Sequence, residues 1–137
     1  MVKRRYSNER DFLNSLGKTV REFYLNIFDF CDENGLKRKL ETTGYSVKFV
    51  KYKGQYTPIF WMIGGGEVQD AETIILPYDM MTGFTDEQIA NYKLGIWRLD
   101  FYIKNCPKRD KWLLSSSTSL DNVKDFLTVV ESIISAS

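Results

Sequence analysis

The chain has 137 residues, 43% hydrophobic, 15% aromatic and 27% charged, with 19 Lys/Arg against 18 Asp/Glu, two cysteines and no histidine. That length can bury a core without staples, and the aromatic content predicts ordered packing rather than disorder. Without imidazole there is no Ser-His-Asp or Cys-His nucleophile, and two thiols cannot build a four-ligand Cys/His zinc site, so most hydrolase templates fall away and any metal would have to be held by oxygen.

The N-terminal stretch 1–6 (MVKRRY) is basic and runs into Asn8-Glu9-Arg10-Asp11 without an apolar core, which reads as a mobile end rather than a secretion signal. From Ser7 or Asn8, the residues Phe12, Leu16, Val20, Phe23, Ile27 and Phe30/Cys31 recur at spacings of three and four and predict a first helix. Over 8–33 it would be ~39 Å long, against ~30 Å for a small domain, so it either bends at Gly17 or packs its end against a second copy. A homodimer through this helix is therefore expected. Cys31 lies on the apolar stripe and reads as a buried free thiol, although its distance from Cys106 in sequence does not fix their distance in space. Asn34-Gly35 ends the helix, and 36–41 (LKRKLE) reads as further helical turns closed by Gly44.

The period then changes. Tyr45 to Lys53 and Tyr56 to Ile63 are rich in β-branched and aromatic residues and are joined by Gly54-Gln55, the pattern of a β-hairpin. Pro58 cannot donate to a ladder, so its strand is expected at an edge or bulged. After Gly64-Gly65-Gly66 and a loop through Asp70, Thr73-Ile74-Ile75-Leu76 reads as a third strand ended by Pro77. Thr85 with Gln88 makes a capping-box pattern for a helix reaching Asn105, with a strand from Gly95 onward as the rival reading. The Asp100–Lys104 spacing suits a weak helical ion pair. Trp112-Leu113-Leu114 reads as a fourth strand, and Ser119 caps a last helix presenting Leu120, Val123, Phe126/Leu127, Val130 and Ile133/Ile134.

These elements predict one α+β domain over 1–137, an antiparallel sheet of about four strands packed against three helices in the order α-β-β-β-α-β-α. The order is similar to that of the PD-(D/E)xK nuclease core, which holds Mg²⁺ with an acid on its second strand and an acid-x-Lys on its third. Here the second strand opens Tyr56-Thr57-Pro58-Ile59, and the third reads Glu72-Thr73-Ile74, with Ile in the lysine position. At most a degenerate nuclease-like domain follows. In length and rough order the chain also resembles type III secretion chaperones, small dimeric proteins that bind extended segments of partners, although their second late strand is not evident.

Charge is segregated. No Lys or Arg occurs from Gly54 to Tyr92, which carries Glu67, Asp70, Glu72, Asp79, Asp86 and Glu87, whereas residues 1–53 hold 12 Lys/Arg against 7 Asp/Glu. Segregation of this kind speaks to partners. Glu67, Asp70, Glu72 and Asp79 are the candidate contacts for a basic protein partner, and Glu67, Asp70 and Glu72 would be the oxygen ligands of a metal-dependent hydrolase, though their spacing matches no EF-hand loop. Lys37, Arg38, Lys39, Lys48, Lys51 and Lys53, interleaved with Tyr45, Phe49 and Tyr52, are the candidate nucleic-acid surface. Tyr56, Phe60, Trp61 and Met62 read as core, and as an aromatic anchor wherever one of them is exposed. The glycine triplet is not followed by Lys-Ser/Thr or a helix start, so no phosphate cradle is expected. Ser115 to Ser119 has no general base and reads as a turn. No cofactor is implied, and no apolar run approaches the ~20 residues of a membrane span. The expectation is a small cytosolic protein-interaction module, such as a regulator, inhibitor or assembly factor without catalytic activity, with nucleic-acid binding as the alternative.

Overall fold

A computed structural model describes residues 6–50, 55–64, 72–99, 109–115 and 117–136. The Asn8 side chain accepts the Asp11 N–H at 2.8 Å and starts α1 (Glu9–Asn14). The apolar stripe does not continue as one helix: α1 stops at Ser15 and α2 (Lys18–Glu33) starts afresh from Gly17, so the expected bend is a complete break. Carbonyls freed there are collected locally. Ser15 Oγ donates to the Phe12 carbonyl at 2.6 Å, and the Arg21 guanidinium donates to the Leu13 and Leu16 carbonyls at 3.0 and 3.3 Å. The break removes the overlong helix that motivated pairing through it. Tyr24, Ile27 and Cys31 of α2 are fully buried, and Phe12 of α1 stacks on Tyr24 with 5.8 Å between centroids. Burial pushes the free Cys31 thiol up to about 12, as suits an inert core cysteine.

Residues 36–41 correct the sequence reading. Gly35, at φ 68°, halts α2 with the Leu36 N–H returned to the Cys31 carbonyl at 2.9 Å, and the chain leaves as a strand, β1 (Lys37–Leu40). All four residues pair with the next strand, and the Arg38 guanidinium lies 4.1 Å over the Phe28 ring. Lys, Arg and Leu prefer helix by only a few tenths of a kcal/mol per residue, and a ladder plus a packed side chain outweighs that.

β1 is followed by β2 (Gly44–Val50), β3 (Tyr56–Ile63), β4 (Thr73–Pro77) and β5 (Arg109–Leu113). They form one antiparallel sheet in the order β1-β2-β3-β4-β5. The α+β class agrees with the sequence, and the described residues hold five strands instead of about four and four helices instead of three. β1 supplies the added strand, and the break at Gly17 the added helix. β3 is interior rather than an edge, and Pro58 sits at a bulge: Val47 faces Phe60 but Lys48 faces Pro58, so Ile59 is the extra residue. β4 pairs only with Trp61, Met62 and Ile63, which leaves Pro58 beyond that ladder. The extra carbonyl of Ile59 accepts the Tyr92 hydroxyl at 3.1 Å.

A 3₁₀ turn (Tyr78–Met80) leads towards α3 (Asp86–Trp97), which opens with the expected Thr85/Gln88 capping box. Residues 95–97 are helical, so the strand alternative does not begin at Gly95, and the helix ends eight residues before Asn105. Asp100, Lys104 and Cys106 lie outside the described residues. α4 (Leu120–Ser135) starts from Ser119, whose hydroxyl accepts the Asn122 N–H at 3.2 Å. Among the described residues, no helix is long and apolar enough to cross a membrane.

The register gives the sheet two different faces. Residues paired directly across strands share a face, so Leu40, Tyr45, Met62, Ile74 and Trp112 form one row and Arg38, Val47 and Phe60 another. Helices cover this side: Phe126 of α4 meets Phe60 at 5.2 Å and Trp112 at 5.7 Å between centroids. α3 packs closely on α4, since a Cβ on Gly95 would come within 2.9 Å of Val129 Cγ1.

Candidate interaction surface on the open sheet face

The opposite face carries the alternate residues of each strand. One row crosses all five strands through Lys39, Ser46, Trp61, Ile75 and Lys111, and beside it lie Lys37–Lys48–Pro58 on one flank and Gly44–Ile63–Thr73–Leu113 on the other. Trp61, Ile63 and Ile75 are half-buried, while Tyr56, Met80 and Leu113 are 51%, 44% and 49% exposed. Strand alternation at both ends of the row brings lysines around an apolar centre. Ser46, Lys48, Tyr56, Pro58, Trp61 and Met80 enclose much of a groove of about 380 Å³ on this side.

Trp61 is held from β5. The Arg109 guanidinium lies 4.8 Å over its ring and grips Asp79 through Nε and Nη2 at 3.0 and 3.2 Å, with Nη2 3.5 Å from Met80 Sδ. This clasp ties the 3₁₀ turn to the sheet and sets Met80 at the groove. The Arg109 and Asp79 side chains are 37% and 31% exposed, so the pair is still in contact with solvent. Lys39 pairs with Glu41 at 3.7 Å, whereas Lys37, Lys48 and Lys111 make no ion pair among the described residues.

The candidate residues from the sequence scatter. Glu67, Asp70, Lys51 and Lys53 lie outside the described residues. Glu72 accepts the Gly17 N–H at 2.8 Å, placing its charge at the start of α2, where the helix dipole favours an anion. Asp79 serves the Arg109 clasp. These two acids sit at opposite ends of β4, separated by about 17 Å of strand, so they do not form one patch. Among the described residues, no group of three His, Cys, Asp or Glu is placed to hold a metal ion.

The basic candidates split by alternation. Lys37, Lys39 and Lys48 share the open face, with Lys37 directly opposite Lys48. Arg38 points the other way, onto Phe28, and bonds Glu9 at 3.1 Å and Asp32 at 3.4 Å. The aromatic group divides too: Phe60 and Met62 are fully buried, but Trp61 and Tyr56 belong to the groove. Sequence reasoning missed Lys111, Ile75 and Arg109. Their segments, TIILP and RDKWL, do not alternate polar with apolar, so the strand register rather than the sequence pattern places these side chains on one face.

A second polar cluster is buried on the helix side. Asp110, 1% exposed, accepts the Tyr78 hydroxyl at 2.9 Å and the Trp97 indole N–H at 2.5 Å, both on Oδ2. Burial, then the neighbouring carboxylate, pushes the Tyr78 hydroxyl well above its ordinary range and keeps it a donor. Lys93 Nζ stands 4.9 Å from the Tyr78 ring centroid. The two bonds on Asp110 Oδ2 join β5 to the 3₁₀ turn and to α3.

No protein-family model matches the chain, and neither does any curated protein or solved structure.

Proposed function

We propose that this chain is a non-catalytic protein-interaction module whose working surface is the open face of the sheet. The observation that carries the proposal is the row Lys39–Ser46–Trp61–Ile75–Lys111: an aromatic and aliphatic centre, with a cation at each end, on the side of the sheet away from the helices. Half-buried apolar side chains rimmed by charge are the composition of a protein contact, with Trp61 as the anchor. The contact thus moves from the acidic residues expected from the sequence to the sheet, because Glu72 and Asp79 already serve the chain's own architecture. Pairing two copies face to face across a two-fold would bring Lys39 against Lys111, which disfavours self-association through this surface.

The test is affinity capture with the wild-type chain, a Trp61→Ala/Ile75→Asp variant and a Leu94→Asp variant on α3, each with and without nuclease. The proposal requires a direct partner that survives nuclease, is lost with the sheet variant and is kept by the α3 variant. Loss on nuclease treatment would transfer the face to nucleic acid, and retention by the sheet variant would remove it.

A further inference from the structure

We infer that the occupant of the open face is an extended, acidic segment of a partner protein, about six residues long between its charged ends, and that Asp79 competes with it for Arg109. The inference rests on the open-face reading of function and adds the chemistry of the partner. Four strand spacings of about 4.8 Å separate β1 from β5, so the row from Lys39 to Lys111 spans about 19 Å. An extended chain rises ~3.3 Å per residue and covers that distance in about six residues. Its middle would lie on Trp61 and Ile75 and its ends on the lysines.

Charge complementarity fixes the sign. Lys37, Lys39, Lys48, Arg109 and Lys111 face this side, and among the described residues the acids beside them, Glu41 and Asp79, are engaged with Lys39 and Arg109. A basic segment would meet lysines at both ends of the row, while an acidic one neutralises cations that lack an ion pair among the described residues. Arg109 is the specific element. Its guanidinium is stacked on Trp61 and presents a fork that matches a carboxylate bidentately, and Asp79 now occupies that fork. The two side chains are 37% and 31% exposed, so a carboxylate arriving from solvent reaches the fork and competes with Asp79 for it. Asp79 is then a built-in competitor, the reverse of the role its charge suggests in the sequence.

Three fluorescein-labelled probes test this on the full chain by fluorescence anisotropy. One is an extended peptide with paired glutamates flanking an apolar centre, the second is the same peptide with lysines replacing the glutamates, and the third is a short oligothymidylate. The expected result is selective binding of the glutamate peptide, weakened at least tenfold by Lys39→Glu/Lys111→Glu and strengthened roughly threefold by Asp79→Asn, with affinity falling as salt rises. Equal binding of the lysine peptide would overturn the acidic partner and leave the open-face reading intact. Preference for oligothymidylate would overturn the protein partner altogether. Absence of binding by every probe at millimolar concentration would also overturn the inference, while the open face itself would still be judged by the capture experiment. An unchanged or weakened affinity in Asp79→Asn, with its melting temperature within about 3 °C of wild type, would refute the competitor role.

Discussion

Tyr78→Phe removes one hydroxyl and nothing else, and it does so beside a carboxylate that is 1% exposed. In the native chain that hydroxyl donates to Asp110 Oδ2 at 2.9 Å, and the Trp97 indole N–H is the other donor on the same oxygen. A hydrogen bond to a charged group contributes ~1.5–3 kcal/mol, more than the ~0.5–1.5 of a neutral one, because a buried anion has no water to fall back on. At ~2.1 cal/mol/K per residue, 137 residues unfold with an entropy of about 0.29 kcal/mol/K, so this loss converts to a melting temperature about 5–10 °C lower. Tyr92→Phe is the internal control, since that hydroxyl is also buried but donates to a neutral carbonyl, Ile59, at 3.1 Å. Urea unfolding followed by tryptophan fluorescence and thermal melts at pH 7 measure both. The expected order of damage is Tyr78→Phe, then Tyr92→Phe. Equal losses, or a Tyr78→Phe cost below about 0.5 kcal/mol, would refute the claim that the buried Asp110 side chain depends on its donors.

Alkaline pH should destabilise the fold. Burial raises the hydroxyls of Tyr24, Tyr78 and Tyr92 and the Cys31 thiol above their unfolded values, so their contribution is complete below about pH 9, falls as the unfolded thiol and phenols begin to ionise and continues to fall towards the folded values. Melting temperature should therefore drop steadily from pH 9 to 11, and a flat profile would contradict the burial of these groups. Gly44→Ala should be severely destabilising, by more than ~3 kcal/mol, because its Cβ would sit 2.0 Å from the Met62 carbonyl oxygen at a φ of 155°; a folded variant with a melting point near wild type counts against the β2–β3 register. Gly95→Ala should cost ~1 kcal/mol from the contact with Val129 despite the better helix propensity of Ala, and Val129→Ala in the same chain should recover part of it. In a Cys106→Ser background, the remaining thiol should react with a disulfide reagent only as fast as the chain opens.

Elements whose signals are local were legible in the sequence. Thr85/Gln88 and Ser119 marked the starts of α3 and α4, and the change of period at Tyr45 marked the antiparallel pair β2–β3, with Gly54 of the expected turn outside the described residues. β1 was not legible, since Lys-Arg-Lys-Leu has no strand preference of its own and becomes a strand only because Val47, Ser46 and their neighbours offer a ladder. The site was half legible for the same reason. Lys37, Lys39 and Lys48 stood out as a basic run, but reading 36–41 as helix hid the alternation that separates Arg38 from them. Trp61 and Ile75 were assigned to core and strand because hydrophobicity does not say which face is covered. That decision is made by the helices, which all the described contacts place on one side. Within the described residues, the acids of the segregated stretch are divided among the start of α2 (Glu72), the Arg109 clasp (Asp79) and the first turn of α3 (Asp86 and Glu87).

Ile74 and Ile75 are adjacent in sequence and point to opposite faces of the same strand, which makes them the most direct reporters of which side works. Methyl NMR of the chain, titrated with the glutamate-ended peptide, should shift the Ile63, Ile75 and Met80 methyl resonances and leave those of Ile74 and Met62 in place. Shifts confined to helix methyls such as Leu25 and Leu94, with Ile75 unmoved, would contradict the open face as the interaction surface.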